Sequence, residues 1–327
     1  MQRAPGPSRG RAYALTFALL ASSAGAQDIT LTFPLDCTLG TTCFAQSLFD
    51  HDPSDGSGDF RCGTLTRDTH GGIDFALPDL AAMRAGVAVR AAAAGVVAGT
   101  RDRHPDISAD DPASNYGAEL CGNGVAIDHG GGWVTQYCHL KRGSLTVGSG
   151  DRVAPGAILG EVGLSGATTF PHLHLSVFRN GEKVDPFAPT GQSCDTQGPS
   201  LWSPPLDIPA GGILKAGFAT AAPSFEAMKD TLKSADILSA TSPIVAWVSG
   251  YGSQPGDTLH TRITHQSGAL FHNHTETLEQ RQEAWQRFTG RRFTTTPWPA
   301  GAYTAQITLT RGQTTLAETT LTAAIPN

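Results

Sequence analysis

The stretch Phe170-Pro171-His172-Leu173-His174-Leu175-Ser176-Val177 alternates polar and apolar residues with a period of two. That is the period of a half-buried β-strand, so His172, His174 and Ser176 are expected on one face and Leu173, Leu175 and Val177 on the core face. Two imidazoles side by side on a rigid strand are the beginnings of a metal site or a catalytic pair. Upstream, two further segments concentrate chemistry: His70-Gly71-Gly72-Ile73-Asp74 and Gln136-Tyr137-Cys138-His139-Leu140. Two glycines between His70 and Asp74 argue against a helix, which places His70 on a turn and Asp74 on a strand over residues 73–77. One carboxylate and several imidazoles, with no CxxC pair beside them, suit a zinc ion with three protein ligands and an open water position.

The rest of the chain is consistent with a β-rich host for such a site. It has 327 residues, 39% hydrophobic and 16% charged, with 38 Gly and 21 Pro, enough for about two domains joined by many turns. The first 26 residues read as an export signal outside the fold: Arg3, Arg9 and Arg11 form a basic start, residues 13–21 an apolar run, and Ala24-Gly25-Ala26 a small-x-small cleavage site. The apolar run is well short of the ~20 residues that span a bilayer, so no membrane span is expected after cleavage. Without this leader the chain keeps 20 basic against 29 acidic residues, a net charge of −9. That balance argues against nucleic acid and anionic lipid as partners.

Six cysteines in an exported chain read as disulfides. Residues 125–137 suggest two strands joined at a Gly-rich turn, and a register with Ile127 facing Gly132 sets Cys121 opposite Cys138. Cys37–Cys43 and Cys62–Cys194 follow by elimination. Residues 79–84 suggest one or two helical turns. Residues 87–91 and 95–98 suggest a hairpin of small residues, and a similar pattern recurs at 147–162. The polar residues 101–120 between them read as a surface loop.

The segments HGGID, QYCHL and GLSGATTFPHLHLSVFRNGEKVDPF, in this order, resemble the LytM/lysostaphin-type zinc metalloendopeptidases that cut peptide cross-links in bacterial peptidoglycan. The resemblance covers roughly residues 59–189. It implies a mainly β fold, an antiparallel sheet whose groove holds one Zn2+ per chain. It also implies His70, Asp74 and His174 as metal ligands, and His139 and His172 as catalytic imidazoles, one activating the water and the other steadying the intermediate. Phe170 departs from the pattern, since the family usually carries a small residue before Pro-His; the larger ring is expected to narrow a subsite beside the metal. The implied partner is the peptide stem of peptidoglycan, and the implied setting a monomer in the periplasm or medium. The alternatives are a silent LytM-like module that regulates another cell-wall hydrolase, although such modules commonly lack a ligand and this chain has the full set, and a secreted zinc peptidase acting on proteins. A lipoyl-type carrier, suggested by GDRVAPGAILGEVG, lacks the lysine at a hairpin tip that it would need.

Other histidines carry weaker signals. His51, His104, His129, His260 and His265 read as packed or surface residues, and His272-Asn273-His274 lies in a polar stretch with no HxxxD partner. The catalytic part is expected over 27–198 and a Pro/Gly/Ser-rich linker over 199–212. Strand-like runs at 244–249, 259–264 and 303–310 point to an immunoglobulin-like β-sandwich over 213–327. One helix is expected at 223–234, with Phe225, Met228 and Leu232 on one face, and Trp247, Trp285 and Trp298 belong to the core rather than to a sugar platform.

Overall fold

The alternating stretch forms a central strand, His172–Arg179, with a neighbour on each side. The computed structural model describes residues 1, 29–191 and 199–327; the expected signal segment and Cys194 lie outside them. The first module comprises β1 (Phe44–Ser47), β2 (Ile73–Ala76), α1 (Leu80–Ala85), β3 (Ala88–Arg90), β4 (Gly95–Arg101), β5 (Gly124–Gly130), β6 (Trp133–Cys138), β7 (Arg152–Val153), β8 (Ile158–Glu161), β9 (His172–Arg179) and β10 (Glu182–Val184). Its main sheet runs β1-β2-β9-β6-β5-β4-β7, antiparallel throughout, with β10 added to β9. One face of this sheet covers a core containing Ile73, Phe75, Tyr137, Leu173, Leu175 and Val177, and the other carries the histidines.

The expected hairpin over 87–98 does not form. Its first strand, β3, pairs with β8, and its second, β4, pairs with β5 and β7. The two small-residue patterns at 87–98 and 147–162 therefore exchange partners. Alanines 91–93 between β3 and β4 are buried, and Ala91 N–H bonds to Ala157 rather than closing a local turn. Burial of this connection rules out the exposed, tight turn that a hairpin would need.

The β5–β6 hairpin is real, but its register differs from the expectation. Ile127 faces Thr135, and Gly131-Gly132 form the two-residue turn at φ +61° and +83°. Two successive positive φ values are what such a turn demands, hence the glycines. Cys138 consequently faces Gly124, not Cys121. The Cys121–Cys138 disulfide still exists, at a Cα separation of 4.8 Å, because Cys121 sits in the preceding turn and folds over Gly124, where a Cβ would meet its sulfur at 2.9 Å. Cys37–Cys43 is also bonded, and Cys62 is a disulfide cysteine. Residues 201–208 are not free of the first module: Leu201, Trp202 and Ile208 are buried in its core.

The second module is a seven-stranded, mainly antiparallel sandwich. Its strands are β11 (Gly212–Ala219), β12 (Ile244–Ser253), β13 (Asp257–His265), β14 (Leu270–Leu278), β15 (Gln282–Arg291), β16 (Gly301–Arg311) and β17 (Thr314–Ile325). Sheet β11-β12-β15 faces sheet β14-β13-β16-β17 across a core containing Phe218, Ile263, Trp285 and Tyr303. This is the immunoglobulin-like arrangement with the fourth strand on the second sheet. Trp247 and Trp285 are buried, and Trp298 packs against the same core. The helix is shorter than expected: α2 (Phe225–Asp230) is capped by Ser224 and buries only Met228, leaving Phe225 61% exposed.

Asp185, from the VDPF segment, is buried; it accepts a 2.7 Å hydrogen bond from His51 Nε2 and a 2.8 Å bond from the Phe187 amide. The bond to Asp185 outweighs partial burial and raises the His51 pKa above its ordinary value. A raised folded-state pKa means that this stabilisation is complete below the unfolded value of about 6.5 and fades as pH climbs through the folded value. His51→Gln is expected to cost about 1–2 kcal/mol near pH 5.5 and less near pH 8.5, by thermal unfolding at both. Equal losses at the two pH values would show that the pair is not ionic.

Candidate metal centre

The register of three strands assembles the site. Asp74 of β2 lies opposite His174 of β9, and His174 lies opposite Cys138, the last residue of β6. His139 follows directly, at φ +64°, a left-handed backbone that swings its imidazole off the sheet toward His172 and His174. That conformation costs a β-carbon residue about 1–2 kcal/mol. It is held by the His139 amide bonding to Cys121 O and by His139 Nδ1 donating to Ser165 O at 2.8 Å. His70 sits on the turn before β2, as expected, and its Nδ1 donates to Leu48 O at 2.6 Å.

His70, Asp74 and His174 present one ligand atom each within 4.8 Å of one another. Their hydrogen bonds decide which atoms these are. Because His70 Nδ1 carries the proton given to Leu48, its Nε2 holds a lone pair, 3.1 Å from Asp74 Oδ2 and 3.3 Å from His174 Nδ1. Ser176 Oγ donates to Gly71 O at 3.1 Å and so accepts from His174 Nε2 at 3.0 Å, which leaves the His174 Nδ1 lone pair 2.7 Å from Asp74 Oδ1. Lone pairs that face one another this closely repel unless a positive charge lies among them. Carbonyl and hydroxyl groups that fix the tautomer of an imidazole are the usual outer partners of metal-binding histidines. The donor set therefore fits a zinc ion.

Room for the set depends on glycine. A Cβ on Gly72 would lie 2.7 Å from the His174 ring. Asp74 is buried; burial alone would raise its pKa, but His172, His174 and His70 around it hold it well below the usual carboxylate range. Arg67 adds a 2.9 Å bond from Nη1 to Asp74 Oδ2. His172 Nδ1 donates to Phe170 O at 2.9 Å, leaving a buried Nε2 with no hydrogen-bond partner, 3.6 Å from Asp74 Oδ1. Burial, then the His172 and His174 charges, push the His139 pKa down to about 3; burial also lowers His172. With its pKa this low and its Nδ1 bonded to Ser165 O, His139 keeps Nε2 unprotonated at ordinary pH.

His70, His139 and His174 thus line one groove of about 480 Å³, with Arg101, Glu119 and Lys183, while Asp74 and His172 lie buried against these imidazoles. Residues 101–120, expected only as a surface loop, supply part of this wall: Glu119 binds Arg103 and His104 and is held ionised, its pKa lowered to about 2. Arg67 and the outer partners Leu48, Ser165 and Phe170 were not foreseen. Three act through backbone carbonyls, which leave no trace in residue type, and nothing in its surroundings marks Arg67. The remaining histidines stay apart: His129 bonds to Ala94 O and Thr135, and His272 to Thr289 on the sandwich.

Residues 68–186 match the model of Peptidase family M23. Over 116 residues the chain is 34% identical to the peptidoglycan DD-endopeptidase ShyA of Vibrio cholerae, covering 36% of this chain and 22% of that one. Over 117 residues it is 36% identical to the DD-carboxypeptidase/endopeptidase Mpg of Neisseria meningitidis, again 36% of this chain and 22% of the relative. The chain thus spans about a fifth of the length of these relatives. Among solved structures, the catalytic domain of the prophage-encoded M23 protein EnpA from Enterococcus faecalis is 24% identical and covers 48% of this chain and 92% of its own, with a TM-score of 0.31. The segment that matches Peptidase family M23 carries His70, Asp74, His139, His172 and His174, and with the relatives above it supports the resemblance to LytM-type peptidoglycan hydrolases.

Proposed function

We propose that the protein is a zinc-dependent endopeptidase that hydrolyses peptide cross-links of bacterial peptidoglycan, acting in the periplasm or outside the cell. The observation that carries this reading is the convergence of the His70 Nε2, His174 Nδ1 and Asp74 carboxylate lone pairs, each oriented by a hydrogen bond or ion pair from behind. The endopeptidase names of ShyA and Mpg point to the same substrate class. A zinc ion held by these three residues would supply a Lewis acid and would lower the pKa of a bound water to about 7.

The protein's own groups supply the proton handling. His139 Nε2 and His172 Nε2 are the ring nitrogens left over by the Nδ1 bonds to Ser165 O and Phe170 O, with ring centroids 4.6 Å apart. Either can take a proton from the attacking water, and the protonated ring then serves as a donor to the oxyanion or the leaving amine. Their Nδ1 bonds to Ser165 O and Phe170 O keep each ring from rotating as the proton arrives. Burial disfavours the protonated form of both rings, which favours passing the proton on.

Changing His70, Asp74 or His174 to alanine is expected to abolish both bound zinc and hydrolysis of purified sacculi. His139→Ala should retain zinc and lose roughly 10²–10⁴ in rate. Metal content by mass spectrometry beside a digestion assay checks both; full turnover by His139→Ala would remove it from the mechanism. Ser176→Ala frees the His174 tautomer and is expected to weaken zinc about 10–100-fold. Competition with a chelator of known affinity measures this, and an unchanged zinc affinity would show that Ser176 does not set the tautomer.

A further inference from the structure

The catalytic sheet and the sandwich meet along β1. Phe44 stacks on Tyr251 with centroids 4.9 Å apart, Gln46 Nε2 donates to Glu283 Oε2 at 3.0 Å, and Arg281 Nη2 donates to Thr66 O at 2.6 Å. Beside this seam lies a second cleft, of about 500 Å³, walled by both modules. Ala167 lines the metal groove while Thr169 and Phe170 line the cleft, so one short turn of chain divides the two. That turn also carries the carbonyl that holds His172.

The cleft has the make-up of a ligand site, with aromatic lips over a polar floor. Phe170 and Phe225 both line it, and Phe225 is 61% exposed. Its floor is under-satisfied: Gln46 Oε1, Gln286 Oε1 and Arg281 Nε are buried without hydrogen-bond partners. Rotation of Gln286 about its soft terminal torsion would turn its carbonyl toward the cleft, while the Gln46 amide stays on Glu283. Two acceptors and one donor left unmade match the N–H and C=O groups of an extended peptide, and pairing them relieves a standing penalty. The charges agree. Lys229 is half-buried and has no acidic partner among the described residues, while Asp110, also lining the cleft, is exposed. Glu283 is already engaged by Gln46.

We propose that this interdomain cleft is a second peptide-binding subsite, which takes the arm of a cross-linked peptide that runs past residues 167–170 and sets a free carboxylate of that arm on Lys229. The assignment rests on the peptidase reading of the metal groove, and it gives the sandwich a part in substrate selection.

The test uses the full mature chain, zinc-loaded, with His139→Ala to prevent hydrolysis. Calorimetry measures binding of a synthetic cross-linked stem-peptide dimer with free carboxylates and of the same dimer amidated. Adding Lys229→Glu is expected to weaken the free-acid dimer about tenfold or more, with Lys229→Arg restoring it. Phe225→Ala, an exposed change with little bearing on folding, should also weaken it. Amidation should cost a similar factor and remove the dependence on Lys229. Equal affinities across the Lys229 variants, or tighter binding of a peptide-free glycan chain than of the dimer, would overturn the proposal. Cleavage of the dimer by the unsubstituted protein separates the two readings. A dimer that binds through Lys229 but is never cut removes the peptidase reading alone, and one that is cut with no effect of Lys229 removes the subsite alone.

Discussion

The pairing of β2 with β9 is the constraint on which the rest depends. Asp74 stands opposite His174, and Ala76 opposite His172, so one register puts the carboxylate and both imidazoles on the groove face while Ile73, Phe75, Leu173 and Leu175 enter the core. A slip of one residue would reverse every one of these placements, burying two histidines in an apolar core and exposing leucine. Burial of the four apolar side chains, each worth about 1.5–3 kcal/mol, therefore enforces the geometry of the polar face. The core and the site are two sides of the same pairing.

Around that pairing the molecule spends structure on orienting nitrogen atoms. Leu48, Ser165 and Phe170 each offer a carbonyl to an Nδ1, and Ser176 offers a hydroxyl to the Nε2 of His174. The pattern leaves the lone pair on Nε2 in His70 and on Nδ1 in His174, although both are histidines of one cluster. His139 is brought in by a left-handed backbone anchored at Cys121, which the disulfide ties to Cys138 on the adjoining strand. Strain of this kind survives only where neighbours over-determine the conformation, and here the two amide bonds at Cys121 and Asn123 do so.

The sandwich is joined to the main sheet of the first module through the edge strand β1, covering one side of what would otherwise be an open sheet edge. The stacked Phe44 and Tyr251 rings form a small apolar patch between the two larger cores. Lys215 with Asp79, and Arg84 with Asp230, add ion pairs between the modules beside α1 and α2. The seam thus both caps an edge and builds a cleft next to the turn that positions His172.

Much of this was legible in the chain itself. Alternation over residues 170–177 encodes a strand and its faces, glycine at 71 and 72 excludes a helix between His70 and Asp74, and the residue types in the groove belong to metal chemistry; all are local properties of side-chain period and donor type. Closure over long separations belongs to the tertiary structure alone. It paired β3 with β8 and β4 with β7 in place of the hairpin, because buried alanines 91–93 suit a packed crossing better than a turn. It moved the β5–β6 register by choosing the Gly131-Gly132 turn, and it drew residues 201–208 into the first core. It also supplied the carbonyls that set each imidazole tautomer and the wall shared by the two modules. A backbone carbonyl is the same group at every residue, so only the fold decides which one faces a histidine.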